Sequence, residues 1–178
     1  MTKKTVILLC VWGMTVVICL VSLISPRYTS ASEPAPTTYE VRSRLLMEAM
    51  DFVGVCFPSD AAIVWAEGLK RRSAAMQYSV MNSSLKDEYA RQLDEVFPNW
   101  VTGASSPWVE SYKITGTESP DEQHMLIELK FDTATSTGYA GSYSAKLTLE
   151  QRNCFWRISA IEADEGLYPY TGFTMPTA

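Results

Sequence analysis

The stretch "HMLIELKFDT", residues 124–133, decides how the second half of this chain folds. Met125, Ile127, Leu129 and Phe131 fall on one side, while His124, Leu126, Glu128, Lys130 and Asp132 fall on the other. Side chains alternate across a strand, so this beat of two predicts a β-strand with one apolar face. Working outward, "GSYSAKLTLEQ" (141–151) sets Tyr143, Ala145, Leu147 and Leu149 against Ser142, Ser144, Lys146 and Thr148. "CFWRISAIE" (154–162) sets Trp156, Ile158 and Ala160 against Phe155, Arg157, Ser159 and Ile161. Upstream, "SSPWVESYKITGT" (105–117) sets Trp108, Glu110, Tyr112 and Ile114 against Val109, Ser111, Lys113 and Thr115. "ESPDEQ" (118–123) and "TSTG" (135–138) carry turn chemistry. About four strands joined by short turns, each with one apolar face, imply an antiparallel sheet covered on one side only.

Before Pro98 the period is that of helices. Val41, Leu45, Ala49, Phe52 and Val53 form a stripe closed by Gly54 and Pro58. "PSDAAIVWAEGLKRR" (58–72) predicts a helix capped by Ser59 or Asp60, burying Ile63, Ala66 and Leu69 with Ala62 and Trp65 beside them. "SAAMQYSVM" (73–81) and "NSSLKDEYARQLDEVF" (82–97) predict a short and a longer helix. In the longer one Ser84 and Asp87 form an acidic capping box, and Tyr89, Leu93 and Phe97 stack at four-residue steps. Helices first and strands afterwards predict an α+β domain with the helices packed on the apolar face of the sheet.

Residues 1–31 stand apart from that domain. Lys3 and Lys4 precede "TVILLCVWGMTVVICLVSLIS" (5–25), 21 residues without a charge. At ~1.5 Å per residue a helix of that length spans ~31 Å, close to the hydrocarbon thickness of a bilayer. A single uncleaved membrane anchor follows, while "TSAS" (29–32) keeps open a cleaved signal peptide and a secreted product. Either way the leading lysines favour the cytoplasm, so the chain beyond Arg27 lies outside the cell membrane. Cys19 follows the bulky Ile18, which argues against a lipidated cysteine. "SEPAPTT" (32–38) reads as an extended tether, and residues 39–178 as the exported domain.

Charge narrows the partners. The chain carries a net −5, and removing Lys3, Lys4 and Arg27, the only charges before Ser32, leaves −8 on the exported part. Such a surface repels nucleic acid and offers no polybasic patch to lipid. Cys10 and Cys19 sit in the apolar run, whereas Cys56 and Cys154 lie in the exported part, either as a disulfide or as two separate thiols. With no CxxC and a single histidine, no metal site and no cofactor is expected.

Among chemical groups, Glu110 is the candidate catalytic base, because it stands between Trp108 and Tyr112. Apolar surroundings raise a carboxyl pKa, and Tyr112 supplies an oxyanion donor. The alternative is a strand end where Glu110 reaches water beside a packed Trp108. His124 patterns with the polar face of its strand, and Lys70–Arg72 reads as a charged helix end matched to the dipole. No nucleophile elbow and no phosphate-cradling glycine loop is present. The tail "GLYPYTGFTMPTA" (166–178) either packs on the domain through Tyr168, Tyr170 and Phe173 or meets a partner.

The run "DAAIVWAEGLKRRSAAMQYSVMNSSLKDEY" (60–89), followed by "SSPWVESYKI" (105–114) and three further strands, resembles the nuclear-transport-factor-2-like superfamily, exported bacterial type. The resemblance spans Ser59 to Glu162 and rests on element order and aromatic positions. It implies a cystatin-like α+β cone, a curved sheet around a helix with a cavity at the open end. Some members are isomerases, dehydratases or cyclases with an acid, His or Tyr in that cavity, and others only bind partners. Fold alone does not choose between these. The expectation is a non-catalytic binding module outside the membrane, its ligand-binding residues Trp108, Glu110, Tyr112 and Trp156, its partner a small apolar ligand or a protein segment. The competing expectation is an enzyme using Glu110 as base. A homodimer through the sheet, burying Leu126, Phe155 and Ile161, is a third.

Overall fold

The computed structural model describes residues 37–52 and 54–172. The apolar run at 5–25, the site at 29–32, most of the tether, Val53 and Phe173 lie outside the described residues. Among the described residues no helix is long and apolar enough to cross a membrane.

Among the described residues four α-helices precede four strands: α1 (Thr38–Phe52), α2 (Pro58–Lys70), α3 (Ala74–Ser79), α4 (Ser83–Val96), then β1 (Trp108–Asp121), β2 (His124–Thr135), β3 (Gly138–Arg152) and β4 (Phe155–Ala163). A 3-10 turn (Glu165–Leu167) and a single helical turn, α5 (Tyr168–Thr171), follow. The strands form one antiparallel sheet in the order β1-β2-β3-β4, so each strand pairs with its neighbour in sequence. Two-residue turns close the hairpins. Glu118–Asp121, expected as turn, continues β1 up to the Asp121–His124 pair, with Pro120 tolerated because β1 is an edge strand. Asn153 and Cys154 both take positive φ between the paired Arg152 and Phe155, the geometry that suits a right-twisted hairpin.

The apolar face of the sheet is the core. Ile127, Leu129, Phe131, Leu147, Leu149 and Ile158 are all within 1% of full burial. Against them α2 lays Ala61, Ala62, Trp65, Ala66 and Leu69, none of them exposed. Three alanines let the helix backbone approach the strands while Trp65 fills the remaining depth, its ring edge-on to Phe131 at 5.9 Å and 78°. α4 adds Leu85, Tyr89 and Leu93.

Helix starts differ from expectation in two places. α2 begins at Pro58 after the extended Phe57, because proline's fixed φ suits the first helical position and its missing N–H costs nothing there. α4 is capped by Asn82, whose Oδ1 accepts the Leu85 N–H at 2.9 Å, two residues ahead of the expected Ser84. The Asn82 amide also donates to Glu150 at 3.0 Å and its backbone N–H donates to the Ile158 carbonyl, so the cap docks the helix on the sheet.

Three corrections concern faces. In α2 the predicted inward Ile63 is 40% exposed, and Ala61 is buried instead. In α1 the predicted inward residues Leu45 and Ala49 point outward, and Met47 and Met50 pack on the core instead. This helix has apolar residues around most of its circumference, so periodicity alone does not choose the side. In β4, Ile161 is 1% exposed and belongs to the core, although strict alternation from Trp156 and Ile158 places it on the polar face. The register shifts between Thr148 and Leu149, so Ser159 is an inserted residue, and its hydroxyl donates to the Thr148 carbonyl at 3.2 Å. Phe155 is also engaged, its ring lying so close to Gly54 that a Cβ there would sit 2.2 Å from it.

The tail packs on the domain through residue 172. Leu167 and Tyr170 are buried; the Tyr170 hydroxyl donates to the Pro107 carbonyl at 3.0 Å and Tyr89 donates to the Thr171 carbonyl at 2.8 Å. Fully buried Gln77 donates to the Tyr170 carbonyl and to Thr102, binding tail and loop to α3.

Candidate functional site

β1 opens with Trp108, Val109, Glu110, Ser111 and Tyr112, and its register explains the carboxylate between two aromatics. Val109 pairs with Thr133 and Ser111 with Asp132, leaving Glu110 as the extra residue of a bulge. A bulge reverses the alternation, so Val109 rather than Trp108 enters the core, and Tyr112 faces Phe131 on the helix side. Glu110 itself is exposed and accepts a hydrogen bond from the Trp108 indole N–H. Trp108 and Glu110 are therefore together, on the water side of the sheet edge.

Tyr112 is joined to a different carboxylate. Its hydroxyl donates to Glu67 Oε1 at 2.9 Å, and Arg71 donates from Nε to Glu67 Oε2 at 2.8 Å. The Arg71 guanidinium, then the Tyr112 hydroxyl, hold the Glu67 carboxyl below its ordinary range. Burial, then Glu67, pushes the Tyr112 phenol up. The pair thus stays as phenol and carboxylate, a neutral donor committed to a charged acceptor, with no proton poised for transfer near neutral pH. The Glu67–Arg71 spacing of four is legible in the sequence as a helix ion pair; Tyr112 as its third member is not, because it arrives from another element.

Trp156 is 8% exposed on β4, separated from β1 by two strands, roughly 14 Å at the usual strand spacing. It borders a small cavity of about 220 Å³ with Val55, Val64 and Val80. The four residues expected to share one ligand site therefore occupy three surroundings: the open edge, the α2–β1 interface and the α2–β4 margin. His124 is exposed, its Nδ1 2.9 Å from the Asp121 carboxylate, where a surface histidine was expected. Lys70–Arg72 does more than end a helix: Arg72 donates to the Thr102 and Gly103 carbonyls at 2.9 and 3.0 Å and pins the loop that leads into β1.

Cys56 and Cys154 are exposed free thiols on the two segments joined by the Val55–Trp156 bridge, whose hydrogen bond runs from Trp156 N–H to the Val55 carbonyl at 2.8 Å. Among the described residues no three His, Cys, Asp or Glu side chains converge as a metal site. Two further concavities are open to solvent. One of about 400 Å³ lies on the uncovered sheet face between Glu128, Lys146, Glu162 and Asp164, and one of about 440 Å³ lies at the start of α4 beside Lys86, Arg152 and Arg157. No family model matches the chain, and no curated protein matches it.

Proposed function

We propose that this chain is a non-catalytic interaction module held outside the cytoplasmic membrane, a cone-type domain that binds a protein partner with its uncovered sheet face and β1 edge. One observation carries the reading. The space between helices and sheet, where an enzyme of the resembling type keeps its cavity, is occupied by the rings of Trp65, Phe131 and Tyr112, packed at 5.9 and 6.1 Å between centroids. Glu110, the residue an isomerase or cyclase reading requires as base, stands in water instead of in that space. The two edges of the sheet also differ. β4 is closed by backbone bonds from Trp156 to Val55, Ile158 to Val80 and Asn82 to Ile158, whereas among the described residues β1 pairs with β2 alone. An edge strand with free N–H and C=O groups is a surface on which an extended segment of another protein can add.

Photo-crosslinking amino acids placed at Lys113 on β1 and Lys130 on β2, with Glu95 on α4 as control, test this in cells making the full chain. A discrete adduct from the sheet positions and none from Glu95 is expected. Absence of adducts at all three positions removes the reading. So does turnover of a β,γ-unsaturated ketone that is lost in Glu110→Gln.

A further inference from the structure

The helix α1 displays three stripes. Ser43, Met47 and Met50 are half-buried, with both methionines packed on the core. Glu40, Arg44 and Glu48 repeat every four residues on a charged side, Arg44 and Glu48 joined at 3.7 Å. The third stripe, Arg42, Leu45, Leu46 and Ala49, has the i, i+3, i+4, i+7 spacing of a buried helix face, yet every member is exposed, Leu45 by 54% and Leu46 by 65%. A soluble helix docked by one side ordinarily turns its apolar residues to the core and its charges to water. Here two adjacent leucines face away from the core.

We infer that this stripe of α1 lies in the head-group region of the lipid bilayer, with Leu45 and Leu46 dipping toward the acyl chains. The inference rests on the reading of residues 5–25 as a membrane anchor. Chain length selects the occupant. Twelve residues, 26–37, separate the apolar run from α1, and fully extended they reach ~40 Å at ~3.5 Å per residue. Three of them are proline, a composition that disfavours helix. The helix is therefore confined to a shell next to the membrane, at an effective concentration of order millimolar for a short tether. Two leucines and an alanine bind a membrane weakly by themselves, but a tethered surface needs no more. The stripe carries no acid, and its one charge, Arg42, has an aliphatic stem that lies along apolar surface while the guanidinium reaches phosphate. Glu40 and Glu48 sit on its other side, as an interfacial helix on an acidic domain requires.

The test uses the full chain with its four cysteines replaced by serine and single cysteines introduced as Leu46→Cys, Ala49→Cys and, as control, Glu48→Cys. Nitroxide-labelled chains in nanodiscs of phosphatidylcholine and phosphatidylglycerol report collision with oxygen, which concentrates in lipid, and with a nickel chelate, which stays in water. The expected result is an oxygen-to-nickel ratio several-fold higher at positions 46 and 49 than at 48. Equal ratios at 46 and 48 overturn the inference, and shielding from both reagents at 46 overturns it in favour of a protein occupant. Alkaline carbonate extraction of native membranes tests the anchor separately. If the chain is extracted, the anchor reading has failed, and flotation of that same chain with phosphatidylglycerol vesicles decides for α1. Co-flotation lost at least tenfold in Leu45→Glu/Leu46→Glu then supports it, and no flotation of the parent chain overturns it.

Discussion

Truncation of Ile161 to alanine probes the register of β4 directly. Ile161 is 1% exposed and pairs across the sheet with Leu147, which is fully buried. Ile161→Ala removes three carbons from that site, about 2.4 kcal/mol of transfer free energy at ~0.8 kcal/mol each. The void left, about 80 Å³ if nothing relaxes, adds up to ~1.9 kcal/mol at ~24 cal/mol per Å³. Partial collapse brings the expected cost to about 3.5 kcal/mol, within the usual range for such truncations. With a urea slope near ~1.7 kcal/mol/M this lowers the unfolding midpoint by roughly 2 M. Urea titration of the full chain in non-ionic detergent, followed by tryptophan fluorescence, reads the shift. Ala160→Ser, pointing to the polar face opposite Thr148, is the control and is expected to change stability by less than ~0.5 kcal/mol. Were β4 regular, Ile161 would lie on the open face and its truncation would cost under ~1 kcal/mol. That outcome, with a normal Ile158→Ala cost of several kcal/mol, refutes the inserted Ser159 and the core assignment drawn from it.

Other expectations follow from single contacts. Asn82→Ala removes both the cap of α4 and its tie to Glu150 and is expected to cost about 1–2 kcal/mol, whereas Ser84→Ala costs a few tenths; equal costs in the same urea assay contradict the observed cap. Tyr112→Phe deletes the donor to Glu67 and is expected to cost about 1 kcal/mol at pH 7. Glu67 has its pKa lowered on folding, so the stabilisation it brings is complete above the unfolded carboxyl range and is lost as pH falls through the folded value. The gap between Tyr112→Phe and the parent chain is therefore expected to narrow as the pH of the melts falls through the folded Glu67 value, and a gap that does not change down to the acid limit of folding counts against a charged acceptor. Glutathione disulfide is expected to join Cys56 to Cys154 within one chain, read as loss of both thiols to a thiol reagent with no dimer on a non-reducing gel; a stable mixed disulfide at each thiol contradicts it.

The strands and helices were legible because each repeats a local physical signal. A beat of two from 124 to 133 and steps of four at Tyr89, Leu93 and Phe97 report which residues share a side whatever the rest of the chain does. The helix caps were less legible. Serine and aspartate near 59 and 84 were sound capping chemistry, but Pro58 and Asn82 were closer to where the chain turns, and only the docking of Asn82 on Ile158 and Glu150 fixes the choice. The side of α1 that meets the core was not legible at all, since Met47 and Leu45 differ little in hydrophobicity and the core's position relative to the helix is a tertiary fact.

The candidate site failed in sequence for one physical reason that also misplaced Ile161. Reading faces from alternation assumes an unbroken count of residues between strands, and an inserted residue breaks the count without changing composition. At Glu110 the insertion converts an apparent aromatic–carboxylate–aromatic face into two separate arrangements, half-buried Trp108 with exposed Glu110 at the open edge and Tyr112 with Glu67 under α2. At Ser159 it carries an apparent surface isoleucine inward. Both insertions sit where an edge of the sheet must change its surroundings, β1 as it leaves the loop pinned by Arg72 and β4 as it passes the start of α4. The polar residues on them are what a bulge tolerates: Ser159 satisfies a strand carbonyl with its hydroxyl, and Glu110 satisfies an indole N–H. A carboxylate in a bulge on an exposed edge also discourages indiscriminate pairing along β1.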